Sequence, residues 1–299
     1  MSLQGWIIYN GQIPGSKFLD FAEWIKCSAD RKDSHTQIYK NNELHSLISS
    51  KKVTFLKNNQ DDLPDYVVFT DKDIYLAKQL ELQGVHVFNS SEAIAVSDDK
   101  ILSYQQLARY NIPIPKTIIA PKTFPGISSF ASQTIQVAID TFEFPMIVKE
   151  AFGSFGEQVY LIHNEPELIN KVNELRGKPF IFQEFIASSY GQDMRLHVVG
   201  DEVVAAMRRY STNDFRANIT TGGMMESYHP TKLEKELAIA ATKAIGADFA
   251  GVDLLLGPTG KPIVCEVNSN AHIRNMFDCT NINVADFMID YILDRLKEK

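Results

Sequence analysis

Two carboxylates and an amide sit inside otherwise apolar strands near the C-terminus. Asp253 falls in Gly251-Val252-Asp253-Leu254-Leu255, and Glu266 and Asn268 fall in Ile263-Val264-Cys265-Glu266-Val267-Asn268. Gly257-Pro258-Thr259-Gly260 between them reads as a turn, so the segment is a predicted hairpin. Alternation puts Val264, Glu266 and Asn268 on one face. With the turn centred between Pro258 and Thr259, Asp253 stands opposite Val264, diagonal to Glu266 and on the same face. Carboxylates that close repel and are costly to bury without a cation. Oxygen-only donors suit Mg²⁺, which is held by one or two carboxylates together with substrate phosphates. The competing reading is a polar edge face wetted by solvent, and a wider loop would shift the parity.

Other residues offer phosphate chemistry. Lys149 ends an apolar strand and runs at once into a loop with Gly153, Ser154 and Gly156. A lysine there presents a point charge to phosphate oxygens, and the glycines let backbone N–H groups close over them. The spacing is not that of a P-loop, and an ordinary surface hairpin is the alternative. Gln183-Glu184-Phe185-Ile186 leaves another apolar strand just before Gly191-Gln192-Asp193-Met194-Arg195. A strand exit of this kind can read an adenine through its backbone, while Asp193 accepts from a ribose hydroxyl; a solvated acidic turn is the plain alternative. Arg208-Arg209 and Phe215-Arg216-Ala217-Asn218 precede a second glycine turn, Thr220-Thr221-Gly222-Gly223. Guanidinium groups suit charge developing on phosphoryl oxygens, although surface ion pairs are the common fate of arginine.

The elements that must position these groups are partly legible. Trp6-Ile7-Ile8-Tyr9, Tyr66-Val67-Val68-Phe69 and Val85-His86-Val87-Phe88 read as buried strands. Helical pattern covers 18–26 and 74–83, with Gly84 as a stop. The first 95 residues therefore read as a small α/β unit, whose polar middle (30–60) has no clear assignment. Ser97-Asp98-Asp99 caps a helix that runs to about Tyr110. Strands follow at 116–120, 144–149, 158–162 and 179–183, with a helix from about Glu165 capped by Asn164. Further strands lie at 194–199 and 202–207. Thr231-Lys232-Leu233-Glu234 is a capping box for a helix that stops at Gly246, and a last helix covers 284–296. Late strands sit mostly in hairpins, which predicts α+β with an antiparallel sheet.

Taken in order, these segments resemble the ATP-grasp superfamily, most closely the RimK-type α-glutamate ligases. The likeness rests on Ser97-Asp98-Asp99-Lys100, Pro145-Met146-Ile147-Val148-Lys149, Gln183-Glu184-Phe185-Ile186, the run from Gly191 to Ala206, Asp214-Phe215-Arg216-Ala217-Asn218, Ala250-Gly251-Val252-Asp253 and Glu266-Val267-Asn268. The resemblance implies an α/β and α+β chain with three parts. These are a small N-terminal pre-ATP-grasp domain (1–95), a central lid subdomain (96–186) and a C-terminal subdomain with the metal site (187–299). It implies that Lys100 and Lys149 bind nucleotide phosphates beneath the loop of Gly153, Ser154 and Gly156. Gln183, Glu184, Phe185 and Ile186 would bracket adenine, with Asp193 near the ribose. Asp253, Glu266 and Asn268 would hold one or two Mg²⁺ ions, with Mn²⁺ able to substitute, and Arg216 and Asn218 would line the acylphosphate region. The implied activity is ATP-dependent carboxylate–amine ligation. The partners are ATP, a carboxylate substrate and an amine acceptor (amino acid, peptide or protein tail), with self-association left open. A dipeptide ligase of another ATP-grasp class and a non-catalytic ATP-binding regulatory module are the alternatives.

Two departures from the RimK pattern bear on the substrate. Ser269-Asn270-Ala271-His272-Ile273-Arg274 replaces the small residues, proline and glycine expected after the metal strand. That turn should face substrate, which makes His272 and Arg274 candidates for carboxylate recognition or for a structural role. The basic residue expected after Tyr66-Val67-Val68-Phe69 is missing; Thr70-Asp71-Lys72-Asp73 stands there, either favouring an amine-bearing substrate or capping the next helix.

Composition excludes several classes. The 299 residues carry a net charge of −7, against an electrostatic nucleic-acid binder, and are 44% hydrophobic and 22% charged, as in soluble globular chains. No window approaches the ~18 consecutive apolar residues of a membrane span. Met1-Ser2-Leu3-Gln4-Gly5-Trp6 lacks signal-peptide features, and Cys27, Cys265 and Cys279 show no metal spacing, so a reducing cytoplasm is expected. Cys265 reads as a buried, inert thiol.

Overall fold

The computed structural model describes residues 3–32, 34–50, 53–56, 63–126, 132–154, 156–219 and 222–297. Phe155, Thr220 and Thr221, from the two glycine turns, and Met1 and Ser2 fall outside them.

Strands β1 (Gln4–Tyr9), β2 (His35–Lys40), β5 (Tyr66–Phe69) and β6 (His86–Phe88) form a parallel sheet in the order β2-β1-β5-β6, while β3 (His45–Ile48) and β4 (Val53–Leu56) make a separate antiparallel pair. Burial of Trp6, Ile7 and Ile8 and of all four β5 residues reflects a parallel sheet covered on both faces. Strand β2 lies hidden in the polar 30–60 segment. It is an edge strand in which Thr36 is the one buried side chain, so it carries little apolar signal. Helices α1 (Lys17–Asp30), α2 (Ile74–Glu81), α3 (Ser91–Asp98) and α4 (Lys100–Arg109) follow. Asp73 does cap α2, accepting from the Leu76 N–H at 3.0 Å, and Gly84 takes φ +83 after it. Asp99 caps α4 through the Ile101 and Leu102 N–H groups. The sequence reading missed α3, whose buried residues include Ser91, Ala93 and Ser97 and form no strong apolar stripe.

The second sheet is antiparallel, in the order β7-β10-β8-β9: β7 (Thr117–Ile119), β8 (Met146–Glu150), β9 (Val159–Ile162) and β10 (Phe180–Glu184). Helices α5 (Ser132–Thr141) and α6 (Glu165–Glu174) share its core. The third sheet is also antiparallel, in the order β13-β12-β11-β14-β15: β11 (Gln192–Val199), β12 (Glu202–Tyr210), β13 (Met224–Ser227), β14 (Phe249–Leu256) and β15 (Pro262–Asn268). Helix α7 (Lys232–Ile245), opened by the Thr231/Glu234 capping box and ended by Gly246 at φ +79, packs against it. So do α8 (Arg274–Thr280) and α9 (Val284–Lys297). The fold is thus α/β followed by α+β.

The first and third sheets share a core. Ile7, Phe21, Ile25 and Val68 pack in one cluster with Met207, Phe249, Met276, Met288 and Ile289. Fully buried Asn89 ties the halves: its Nδ2 donates to the Phe249 and Ser269 carbonyls (2.8 and 2.9 Å), and its Oδ1 accepts from the Asp248 and Phe249 N–H groups (2.6 and 3.1 Å). Asn270 Nδ2 donates to the Phe69 carbonyl at 2.8 Å. These bonds set the ends of β1 and β5 beside the sheet that carries Asp253.

The hairpin register differs from the expected one. Asp253 pairs directly with Glu266, not with Val264, and Gly251 pairs with Asn268. The turn is wider, closed by Gly257 N–H to Lys261 carbonyl at 2.8 Å, so Leu256 meets Pro262. The ladder then shifts between Leu254↔Val264 and Asp253↔Glu266, leaving Cys265 as an inserted residue. The bulge brings the two carboxylates closer than regular pairing would.

Candidate active site

A cavity of about 620 Å³ opens between the second and third sheets and reaches the loops after β1 and β5. Every residue assigned above to the nucleotide, the metal or the acylphosphate lines it; Arg208 does not, its guanidinium donating to Gln192 at 2.5 Å instead. His272 does too. Arg274 does not: it donates two hydrogen bonds to Asp20 on α1 and stacks over Trp24 at 4.5 Å, so its carboxylate partner belongs to its own chain. The 269–274 segment is also not a plain turn, because Arg274 opens α8.

At one end Lys149 comes off the middle of the second sheet, 7% exposed, with its Nζ 3.3 Å from the Tyr104 hydroxyl and 3.8 Å from the Cys265 sulfur. Burial works against its charge, but Cys265, Tyr104 and Glu266 outweigh it and raise the ammonium pKa above its ordinary value. Burial pushes the Cys265 thiol up, which keeps it unreactive at neutral pH. Tyr104 donates to the Cys265 carbonyl at 2.6 Å and so ties α4 to the bulge. Glu184 accepts from the Lys116 N–H at 2.7 Å, and Gln183 donates to the Thr117 hydroxyl at 2.8 Å; both side chains shape the strand exit and leave Ile147, Ile186 and Leu255 as apolar lining.

The glycine loop is held from above. Gly156 has φ +71, and a Cβ there would meet Asn218 Nδ2 at 2.2 Å; a Cβ on Gly153 would meet the Gln158 side chain at 2.3 Å. Arg216 donates to the Gly156 carbonyl at 2.6 Å while Asp214 grips its guanidinium. Lys100 reaches under the loop, 3.3 Å from the Gly153 carbonyl and 3.5 Å from Glu266. Lys72 reaches it from β5, pairing with Asp98 at 2.6 Å and lying 3.4 Å from the Ser154 hydroxyl. A basic side chain therefore does face the cavity from this strand end, where the sequence suggested none. Asp73 is the residue that caps.

The carboxylates sit in a chain of alternating charge. Arg195, directly across from Asp253, donates to both its oxygens at 2.6 Å; Arg209 adds a contact at 2.9 Å and donates two 2.7 Å bonds to Asp193. These are buried pairs, not surface ones: Arg209 is 4% and Asp253 5% exposed. Burial would raise the Asp253 pKa, but the two guanidiniums hold it below the usual carboxylate range. For Glu266 burial again raises and Lys100 lowers, with the net shift downward. Both are anions at neutral pH. No trio of His, Cys, Asp or Glu converges among the described residues. The donor set of two carboxylates and the Asn268 amide fits Mg²⁺, which keeps waters and phosphate oxygens in its shell. A carboxylate offers about four acceptor positions, so the three N–H bonds to Asp253 still leave one.

Sequence reasoning gave no role to Lys17, Lys72, Tyr104 or Arg195, although Arg195 stood inside a quoted motif; it offered Arg208 and Arg209 to phosphoryl oxygens, whereas Arg209 is committed to Asp193 and Asp253 and Arg208 to Gln192. The available signal was Asp193 and Arg195 alternating on a strand face, which names no partner without the register.

This architecture is the ATP-grasp fold. It superposes on the D-alanine–D-alanine ligase of Bacillus anthracis complexed with ATP with a TM-score of 0.70 over 99% of both chains, at 16% identity. It superposes on the ATP-grasp ligase PsnB complexed with minimal precursor, Mg and ADP at 0.71 over 98% of both chains, at 15% identity. The chain belongs to the RimK-like ATP-grasp family, whose domain profile matches residues 97–292. It is 34% identical to glutamate–LysW ligase ArgX of Sulfurisphaera tokodaii over 73% of this chain and 77% of that protein. It is 32% identical to beta-citrylglutamate synthase B of Mus musculus over 77% of this chain and 58% of that longer protein. The chain is accordingly an ATP-grasp ligase.

Proposed function

We propose that the cavity takes ATP at its Lys149 end and joins a carboxylate to an amine, adding an amino acid to a peptide, a protein tail or a small amine. The observation that carries this reading is the direct Asp253–Glu266 pairing in one cavity with Lys100 and Lys149. Backbone groups of Glu184 and Ile186, with Gln183 and Phe185 beside them, bracket the adenine. Asp193, anchored by Arg209, turns a remaining lone pair to the ribose. Lys100 and Lys149 neutralise phosphate charge, and the N–H groups of Gly153 and Gly156, with Ser154, close over it. Asp253, Glu266 and Asn268 would hold one or two Mg²⁺ ions, or Mn²⁺ in their place, which would supply charge neutralisation to phosphate oxygens. A substrate carboxylate oxygen then attacks the γ-phosphorus and ADP leaves. An amine attacks the acyl carbon and inorganic phosphate leaves. Arg216 and Asn218 stabilise charge on the transferring phosphoryl oxygens. Positioning and electrostatics supply the catalysis, so the chain needs no nucleophile of its own. The named activities of ArgX and beta-citrylglutamate synthase B, both involving glutamate, support an amino-acid substrate. A reducing cytoplasm is the proposed setting, supported by free Cys27, Cys265 and Cys279 and by the lack, among the described helices, of one long and apolar enough to cross a membrane.

The test is phosphate release over a panel of carboxylates and amines with ATP and Mg²⁺, with Glu266→Gln as control. Amide product from the wild type and none from the variant is expected. ATP binding with no amide across the panel would leave a regulatory nucleotide module instead. Lys149→Ala should abolish most of the thermal stabilisation by ATP and Mg²⁺; an unchanged shift would remove this lysine from the site.

A further inference from the structure

The first sheet has a topological switch point. From β1 the chain crosses through α1 to β2 on one side, and β5 then pairs on the other. Loops leaving the carboxyl ends of β1 and β5 therefore diverge, and in open α/β sheets that crevice is where ligands bind. Here it opens into the active-site cavity. The β1 side contributes Ile13, Lys17 and Phe18, and the β5 side contributes Thr70 and Asp71. The opposite wall is the segment that departs from the RimK pattern, through Asn270, Ala271 and His272, together with Asn275 on α8 just beyond it. It is pinned to the crevice by the Asn270 bond to the Phe69 carbonyl and by His272 lying edge-on to Phe18 at 5.0 Å.

Three polar groups here are not used up by the fold. His272, Asn275 and Asp71 make no hydrogen bond or ion pair with other described residues. Asp193 and Asp253, by contrast, are committed to Arg209 and Arg195. Lys17 stands on the first turn of α1, in the same cavity as Arg195. We propose that this crevice is the amino-acid subsite of the ligase, in which Lys17, His272 and Asn275 recognise a free carboxylate and Asp71 faces the ammonium beside it. The inference rests on the ligase reading above. Phe18 and Ile13 give the substrate side chain an apolar shelf. Electrostatics agree: burial and then Arg195 lower the Lys17 pKa, and burial, Lys17 and Arg195 push His272 down to about 3. The imidazole is therefore neutral at physiological pH and donates through one N–H, while the cations crowded around it favour an anion between them.

The test is calorimetric titration of the full chain, loaded with a non-hydrolysable ATP analogue and Mg²⁺, with the common amino acids and with the carboxamide of each that binds. An amino acid should bind at least about tenfold more tightly than its carboxamide, as loss of one charge-assisted contact requires. Lys17→Met should erase that preference, and His272→Ala and Asp71→Asn should each weaken binding, with the ATP-induced thermal shift unchanged in all three. Lys17 is exposed, so its replacement leaves the core intact. Binding of no amino acid, equal binding of the carboxamide, or a preference that survives Lys17→Met overturns the subsite. Intact, Lys17-dependent binding without phosphate release for any acid–amine pair would overturn the ligase reading and leave the subsite supported.

Discussion

Arg195 and Asp253 face each other across β11 and β14 and share two hydrogen bonds of 2.6 Å. The pair fixes the orientation of the carboxylate proposed above to serve Mg²⁺, and Arg209 holds it from the other side. Breaking a buried pair strands the remaining charge. Arg195→Met should therefore cost about 3 kcal/mol of stability, read by denaturant unfolding. Asp253→Asn should instead remove the Mg²⁺-dependent part of ATP-induced thermal stabilisation. If Mg²⁺ adds as much to the ATP protection of Asp253→Asn as it adds to that of the wild type, the metal lies elsewhere.

The glycine loop gives a second prediction. Gly156→Ala places a methyl group on a left-handed residue and drives it into Asn218. The backbone cost is about 1–2 kcal/mol, so the chain should stay folded. The loop can no longer sit under Arg216, and kcat should fall by about tenfold or more. Steady-state phosphate release checks this, and an unaltered kcat would mean the loop does not act during turnover.

Asn89 is a peg between the two halves. Its four hydrogen bonds are all to backbone groups of the segments around β14 and after β15. Asn89→Ala leaves those groups buried without partners, at a cost of about 3 kcal/mol or more. The melting temperature should fall by several degrees, and an unchanged value would show that solvent replaces the bonds.

Acid should weaken the fold through His197. The side chain is 3% exposed with no hydrogen-bond partner for Nε2, and burial together with Arg195 depresses its pKa to about 3. Above its unfolded value of about 6.5 the ring is neutral in both states and stability is independent of it. Below that, the unfolded chain takes up the proton and the native state does not, so stability falls as pH drops from about 6.5 towards 3, at up to about 1.4 kcal/mol per pH unit. His197→Gln should flatten that slope in denaturant titrations at several pH values, whatever its baseline stability. An identical slope would assign the acid sensitivity to other groups.

Local sequence carried the elements with strong local signals: the buried strands at Trp6 and Tyr66, the Asp99, Asn164 and Thr231 caps, and the Gly84 and Gly246 stops. It missed β2, β3, β4, β13, α3, α5 and α8. Exposed edge strands such as β2 and β13 and a short helix such as α8 bury too few side chains to show a period. Candidate site residues were legible where they form a glycine turn, stand near the end of an apolar strand or interrupt one, as Gly156, Lys149 and Glu266 do.

By itself, then, the chain's order of residues picked out acids, amides and lysines that come to line one cavity, because apolar strands interrupted by charge are conspicuous one segment at a time. Tertiary structure decided the pairings. The one-residue bulge at Cys265 sets Glu266 against Asp253; Arg274 is spent on Asp20, and Lys72, Lys17 and His272 are delivered to the cavity from three separate segments. Such relations depend on register and on packing between distant segments, where a shift of one position turns a side chain to the other face, and nothing local in the sequence encodes that choice.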